Sequence, residues 1–171
     1  MSDIILNLKK KAELVPTLND IPAEARAQVV VILNQALADL SDLHSQAKQA
    51  HWNVRGPSFY PLHLLFDQVA GSAEEPLDDI AERIVQLGGV AEGTVRQTAG
   101  RSALPEFPTD GPNGPAYAQV LAERFGAVAK AIRAAVDATA ELGDTGSSDL
   151  LTGVSRTLDK SLWFIEAHTR K

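Results

Sequence analysis

The sequence contains no cysteine, a single methionine and no long hydrophobic run. The lack of cysteine excludes disulfide-stabilised folds, thiolate metal sites and enzymes with a cysteine nucleophile. No apolar segment approaches the roughly eighteen residues that a membrane-spanning helix needs, so we expect no membrane contact. A chain so poor in sulfur suits a protein that handles peroxide, although small sulfur counts also arise by chance.

The charge balance is acidic, with a formal net charge of −6 over 171 residues. This balance argues against a folded domain that binds the phosphates of nucleic acids through its overall charge. It is compatible with a surface that concentrates cations. At the N-terminus the apolar stretch precedes the lysines, which is the reverse of a secretory signal. We therefore expect a cytoplasmic protein of one ordinary domain.

Apolar residues recur every three or four positions in four segments, which predicts four helices. These are about 23–51, 59–87, a third that follows residue 115 and ends at Gly143, and 149–169. Asp20, just before Pro22, is the expected cap of the first helix. Pro76 lies inside the second helix and predicts a kink between Ser72 and Pro76.

The connections between these segments are short, long and short, which is typical of an all-α, ferritin-like four-helix bundle. The long crossover joins helices two and three over residues 88–115, with a short helix expected near 91–96. We expect residues 1–20 to form an N-terminal tail and residues 21–171 to form the bundle. Trp163, on the last helix, is expected in the core.

Four candidate metal ligands lie on the second helix: His63, Asp67, Asp78 and Glu82. At about 100° per residue, their bearings of roughly 0°, 40°, 60° and 100° form one stripe beside the apolar face. Eleven residues separate Asp67 from Asp78, roughly 16 Å along the axis, so one chain cannot bring both pairs to one metal ion.

Two copies laid antiparallel about a two-fold axis bring the pairs together. If residue n of one copy lies level with residue 145 − n of the other, His63 meets Glu82 and Asp67 meets Asp78. Any two pairs with this spacing satisfy the rule for some centre. The independent support is that the centre falls near Ser72, where small residues at 71–73 permit close approach.

His51, at the end of the first helix, can supply the remaining nitrogen ligand. Two imidazoles and three carboxylates make a mixed nitrogen and oxygen site that suits iron, manganese or zinc. Such a site is too rich in nitrogen for magnesium or calcium. Ferrous iron is the favoured ion, because carboxylates also accept the harder ferric product.

Several motifs resemble those of the Dps family of miniature ferritins, from Asp20 to the end of the chain. They are Lys48-Gln49-Ala50-His51-Trp52-Asn53-Val54-Arg55-Gly56-Pro57, His63-x-x-x-Asp67, Asp78-x-x-Ala81-Glu82-Arg83, Gln86-Leu87-Gly88-Gly89 and Leu158-Asp159-Lys160-Ser161-Leu162-Trp163-Phe164-Ile165-Glu166. The resemblance implies a hollow shell of twelve subunits that oxidises ferrous iron, chiefly with hydrogen peroxide, and stores a ferric core. It also implies that His51, His63 and Asp67 come from one subunit, and Asp78 and Glu82 from its partner.

The resemblance suggests roles for three further residues, each with a simpler alternative. Trp52 is an electron donor that absorbs oxidising equivalents, or a large ring packed at an interface. Asp144 and Asp149 line an iron-entry pore at a three-fold axis, or complement the dipole of the last helix.

Two competing hypotheses concern the tail and the kink. Lys9, Lys10 and Lys11 can bind DNA, which would make the protein a DNA-coating architectural protein on the nucleoid with secondary iron chemistry. The neighbouring apolar residues at 4–6 can instead fold the tail back onto the shell. In the other hypothesis Pro76 displaces Asp78 and Glu82, which leaves a vestigial metal site.

Overall fold

The structure is a computed structural model that describes residues 12–109 and 114–169, and all its regular elements are helices. Six helices follow one another along the described residues. They are α1 (Ala23–Asn53), α2 (Phe59–Glu74), α3 (Leu77–Gln86), α4 (Val95–Arg101), α5 (Gly114–Glu141) and α6 (Thr145–Glu166). None of these helices combines the length and the apolar character that a membrane crossing requires.

Four rods form the bundle: α1, the pair α2 and α3, α5, and α6. The core lies between them, and nearly all the apolar positions expected from the helical spacing are buried, for example Leu33, Phe66, Phe125 and Leu158, each 0% exposed. A short turn joins α1 to α2, and another joins α5 to α6. The long crossover contains α4, so the expected ferritin-like bundle is confirmed.

The second rod is interrupted at Glu75 and Pro76, at the end of the stretch where the proline predicted a kink. Pro76 has no backbone N–H and clashes with the preceding turn, so the regular ladder stops there. Both residues nevertheless keep right-handed helical angles, φ −49° and ψ −43° at Glu75 and φ −82° and ψ −3° at Pro76. The chain therefore continues to wind in the helical sense through the break.

Three boundaries differ from the sequence predictions. Asp20 is exposed and does not cap α1, because Pro22 occupies the cap position without a side-chain bond to the helix. The short crossover helix lies at Val95–Arg101, later than expected, because a capping box of Thr94 and Gln97 starts it. The last helix begins one turn earlier than expected, because Asp144 caps it.

Trp163 was predicted in the core, and this prediction was wrong, since the residue is 58% exposed. Its position lies about 140° around α6 from the buried Leu158 and about 160° from the buried Ile165. The ring therefore faces away from the bundle and packs on Phe164, with 4.9 Å between the ring centroids.

A polar stripe on α1 holds the crossover. Asn34 donates to the carbonyl of Val90, and Gln35 donates to that of Arg101. Asp39 is 5% exposed and accepts from the N–H of Ala103. Burial raises the pKa of Asp39, against the lowering effect of its hydrogen bonds. The crossover is thus anchored by hydrogen bonds as well as by apolar packing.

Gly88 joins the N-terminal segment to the bundle. The N–H of Val15 donates to the Gly88 carbonyl at 2.9 Å, and Gly88 has a φ of +87°. A Cβ at this position would lie 2.6 Å from the Val15 carbonyl oxygen, which only glycine avoids. Residues 12–20, the described part of the expected tail, therefore lie against the end of α3 at this point.

Candidate metal centre

The turn between α1 and α2 brings two histidines together. Gly56, at φ +101°, reverses the chain, so the last turn of α1 faces the first turn of α2. The rings of His51 and His63 stack with 3.8 Å between centroids and 21° between planes. The turn thus creates a half-buried pair of imidazoles.

Reciprocal hydrogen bonds fix both rings. Nδ1 of His51 lies 2.8 Å from the carbonyl oxygen of His63, and Nδ1 of His63 lies 2.9 Å from that of His51. A carbonyl oxygen only accepts, so in both rings Nδ1 carries the proton and donates it. With this tautomer, Nε2 of an unprotonated imidazole has its lone pair available for a metal ion, the usual arrangement of a ligand histidine held by a backbone carbonyl.

Asp67 lies one turn beyond His63 on α2, with its side chain 54% exposed. Its carboxylate accepts a hydrogen bond from Lys48 at 2.6 Å. The hydrogen bond from Lys48 holds the pKa of Asp67 below its usual value; burial opposes this effect, and the charges of Lys48, His51 and His63 add to the lowering. The carboxylate is therefore ionised and paired with a cation that a metal ion would have to displace.

Asp78 and Glu82 lie one turn apart on α3, and both are exposed. Within residues 12–109 and 114–169, no group of three or more His, Asp or Glu side chains is arranged to hold a metal ion. The structure thus places His51 and His63 together, with Asp67 one turn away. It does not bring Asp78 and Glu82 to them within one chain.

Trp52 lies beside the histidine pair and is 67% exposed. The Nζ of Lys48 lies 5.9 Å from the centre of its ring, within range of a cation–π contact. Lys48 therefore contacts both Asp67 and Trp52, a role that the sequence analysis missed. Its spacing from His51, three positions along α1, was the available signal.

Asp144 and Asp149 lie in different environments. Asp144 is 1% exposed and caps α6 by accepting from the N–H and the hydroxyl of Ser147, at 2.9 and 2.6 Å. It also accepts from Arg83, the neighbour of Glu82, at 2.7 Å. This geometry favours the helix-capping alternative for Asp144. Asp149 is exposed, and Lys9, Lys10 and Lys11 lie outside the described residues.

The comparisons with known proteins decide the family. The family described as Ferritin-like domain matches residues 30–171. The DNA protection during starvation protein of Agrobacterium fabrum is 44% identical over 155 residues, which cover 91% of this chain and 96% of that protein. The chain belongs to the Dps family of ferritin-like proteins.

Solved structures of Dps proteins have the same fold. DpsC from Streptomyces coelicolor superposes with a TM-score of 0.89 at 34% identity and covers 95% of each chain. An archaeal Dps homologue from Halobacterium salinarum has a TM-score of 0.86 at 27% identity, over 94% of this chain and 89% of that one. The Dps fold thus spans this chain almost completely.

Proposed function

We propose that this Dps-family protein oxidises ferrous iron at centres shared between two copies and stores the ferric product inside a hollow homo-oligomer. The histidine pair carries the proposal, because the two rings stack and each uses Nδ1 in a hydrogen bond to the other residue's carbonyl, which leaves both Nε2 atoms for a metal ion. Hydrogen bonds from Nδ1 to backbone carbonyls are typical of histidines that bind a metal ion through Nε2.

Each centre would take His51, His63 and Asp67 from one copy, and Asp78 and Glu82 from the other. Two neutral imidazoles suit a ferrous ion, and three carboxylates stabilise the ferric ion that follows. In the reaction, two ferrous ions each give one electron to hydrogen peroxide, its O–O bond breaks, and two protons complete two water molecules. Dioxygen is the alternative oxidant.

We further propose that the protein protects against oxidative damage in the cytoplasm. The shell would be a dodecamer, with exposed Asp149 at an iron-entry pore. Exposed Trp52, beside His51, would donate an electron when an oxidising equivalent escapes. Residues 1–20 would form the tail of each subunit.

The test is an anaerobic mixture of the assembled protein with ferrous iron and hydrogen peroxide, followed by ferric absorbance. We expect rapid oxidation, and we expect a crystal soaked with ferrous iron to hold the ion between two copies. An unchanged rate after the double substitution His51→Ala and Asp78→Ala would contradict the proposal. A soaked crystal without metal near the histidines would favour the vestigial site caused by Pro76.

The second candidate function is a DNA-coating role, which the name of the Agrobacterium relative favours. A body of net charge −6 repels DNA, so contact would depend on Lys9, Lys10 and Lys11. Gel retardation at low and moderate salt tests this role. Binding should weaken steeply with salt and disappear when residues 1–15 are removed, and its absence at low salt would contradict the role.

Lys48 competes with the metal ion for Asp67. The substitution Lys48→Met keeps most of the length of the side chain but removes the cation, so we expect Asp67 to bind a divalent ion more readily. An exposed pair of this kind contributes about 0.2 to 1 kcal/mol, which corresponds to an affinity gain of up to about fivefold. Calorimetry with Co²⁺ under anaerobic conditions measures it. Unchanged or weaker binding in Lys48→Met would show that Lys48 does not compete.

A further inference from the structure

A cavity of about 580 Å³ lies between α1 and the crossover. We call it the crossover cavity, and its walls are residues 41–49 of α1, the helix α4 and the segment 102–109. No candidate metal ligand lines it, and Asp42 lies nine residues before His51, about 14 Å along α1. The cavity is therefore separate from the candidate metal centre, and its size suits a small organic molecule.

The polar lining of the crossover cavity is acidic. It contains two carboxylates, the half-buried Asp42 on α1 and the exposed Glu106 on the segment that leads to α5. Hydroxyl groups of Ser45 and Thr98 and the amide of Gln49 lie along the same walls. Among the described residues that line the cavity, none is Lys, Arg or His. The cavity therefore carries negative charge that no cation in its own walls neutralises.

The carboxylate of Asp42 is held in place by two hydrogen bonds. Its Oδ1 accepts from Nε2 of Gln46 at 3.2 Å, and its Oδ2 accepts from the hydroxyl of Ser102 at 2.6 Å. A carboxylate oxygen has more than one lone pair, so both oxygens can still accept from a ligand. Because Asp42 is already oriented, little side-chain freedom would be lost when a ligand binds it.

Gln46 gives independent evidence for a further hydrogen-bond donor at this wall. The residue is 5% exposed, and its Nε2 also donates to the carbonyl of Pro105 at 3.1 Å. Both partners of Nε2 are acceptors, which fixes the orientation of the amide. Its Oε1 is buried, and no donor among the described residues reaches it. A buried acceptor without a donor costs stability, so a ligand that donates a hydrogen bond is favoured here.

Apolar side chains lie between the polar groups of the cavity. Leu104 and the buried Phe107 belong to the crossover wall, and Val95 on α4 is 85% exposed. Phe107 is fixed by stacking on Tyr117, with 5.4 Å between the ring centroids. Carboxylates beside apolar patches match a molecule that has ammonium groups at the ends of a hydrocarbon chain.

Other classes of ligand fit the cavity less well. Within residues 12–109 and 114–169, no group of three or more His, Asp or Glu is arranged to hold a metal ion. An anion would be repelled by both carboxylates. A neutral polyol could donate hydrogen bonds, but it would leave the two negative charges without a partner. The lining therefore favours an organic cation.

We propose that the crossover cavity binds an aliphatic polyamine, with ammonium groups on Asp42 and Glu106 and methylene groups on Leu104 and Val95. The ligand joins α1 to the crossover, so its binding stabilises the folded protein. This site goes beyond the proposed function, and it uses none of the candidate metal ligands.

Calorimetric titration of the assembled protein with spermidine tests the site, in about 0.15 M NaCl to screen weak surface attraction. We expect saturable binding of one spermidine per chain. Asp42→Asn removes the oriented charge and should weaken binding at least about tenfold. Glu106→Gln changes an exposed residue and should weaken it about two- to fivefold. Glu123→Gln is the matched control, because it removes an exposed carboxylate on α5 outside the cavity and should leave binding unchanged.

Three results would overturn the site. They are no saturable binding at this salt concentration, equal weakening in all three variants, and equally tight binding of 1,8-octanediol, a neutral molecule of the same chain length. If Asp42→Asn fails to fold, the comparison of Glu106→Gln with Glu123→Gln decides alone. Spermidine should also raise the thermal unfolding midpoint of the wild type by more than that of Glu106→Gln, and equal shifts would contradict the proposal.

Discussion

Mixing two inactive variants, His63→Ala and Glu82→Ala, restores about a quarter of the wild-type rate of ferrous oxidation, if the metal centre is shared as we propose. Each variant alone loses a ligand from every centre, and its rate should fall by more than about tenfold. The variants are separated into subunits, mixed in equal amounts and reassembled before ferrous iron and peroxide are added.

The recovery follows from how the ligands are distributed. Random reassembly makes about half of the two-fold pairs mixed. In a mixed pair, one centre contains both substitutions. The other centre contains neither, because it takes His63 from the Glu82→Ala chain and Glu82 from the His63→Ala chain. About one centre in four is then intact. If all ligands came from one chain, no mixture would contain an intact centre.

The matched control mixes His63→Ala with His51→Ala. Both lesions lie in the same half of the centre, so every centre of every pair lacks one histidine, and the rate should stay at the level of the single variants. Recovery in this control would show that reassembly itself restores activity. No recovery in the first mixture, with assembly confirmed by sedimentation, would contradict the shared centre.

The positions of the candidate ligands on the helices could be predicted from the sequence because helical spacing is a local property. His63, Asp67, Asp78 and Glu82 each occupy a fixed bearing on one rod, whatever the rest of the fold does. The interruption at Pro76 was equally predictable, since the missing N–H and the ring clash act within one turn. The bundle followed from the lengths of the connections.

Contacts between distant segments could not be predicted in the same way. The hydrogen bonds that orient His51 and His63 depend on the geometry of the turn at Gly56. The pair of Arg83 and Asp144 joins residues 61 positions apart. Helical periodicity carries no information about either contact. Trp163 shows a related error, because a large aromatic ring was expected inside without testing its bearing on the helix.

The largest effect on stability is expected at Asp144. Its carboxylate is buried, caps α6 through Ser147 and pairs with Arg83 on α3. The substitution Asp144→Ala removes the cap and leaves the Arg83 guanidinium, 20% exposed, without its carboxylate partner. We expect a loss of about 2 to 4 kcal/mol in the free energy of unfolding. Thermal unfolding followed by circular dichroism should show a midpoint about 5 to 12 °C lower.

The pKa of Asp144 determines how the stability difference between wild type and Asp144→Ala varies with pH. Burial raises the pKa of Asp144, but the Ser147 and Arg83 hydrogen bonds outweigh it and hold the pKa below its usual value. A carboxyl group with a depressed folded-state pKa stabilises the protein above its unfolded pKa, about 3.9, and loses that contribution as the pH falls through the folded value. The difference between wild type and Asp144→Ala should therefore be greatest near pH 7 and shrink below about pH 4.

Asp149→Ala is the matched control, because Asp149 lies on the same helix but is exposed. Its stability should stay within about 0.5 kcal/mol of wild type. If Asp149 lines the pore, the same variant should slow iron uptake while leaving unfolding unchanged. Asp144→Ala with wild-type stability at pH 7 would show that the cap and the ion pair contribute nothing. The join between α3, which carries Glu82, and α6 would then have to come from apolar packing and from the hydrogen bond that Arg83 donates to the Ser147 hydroxyl.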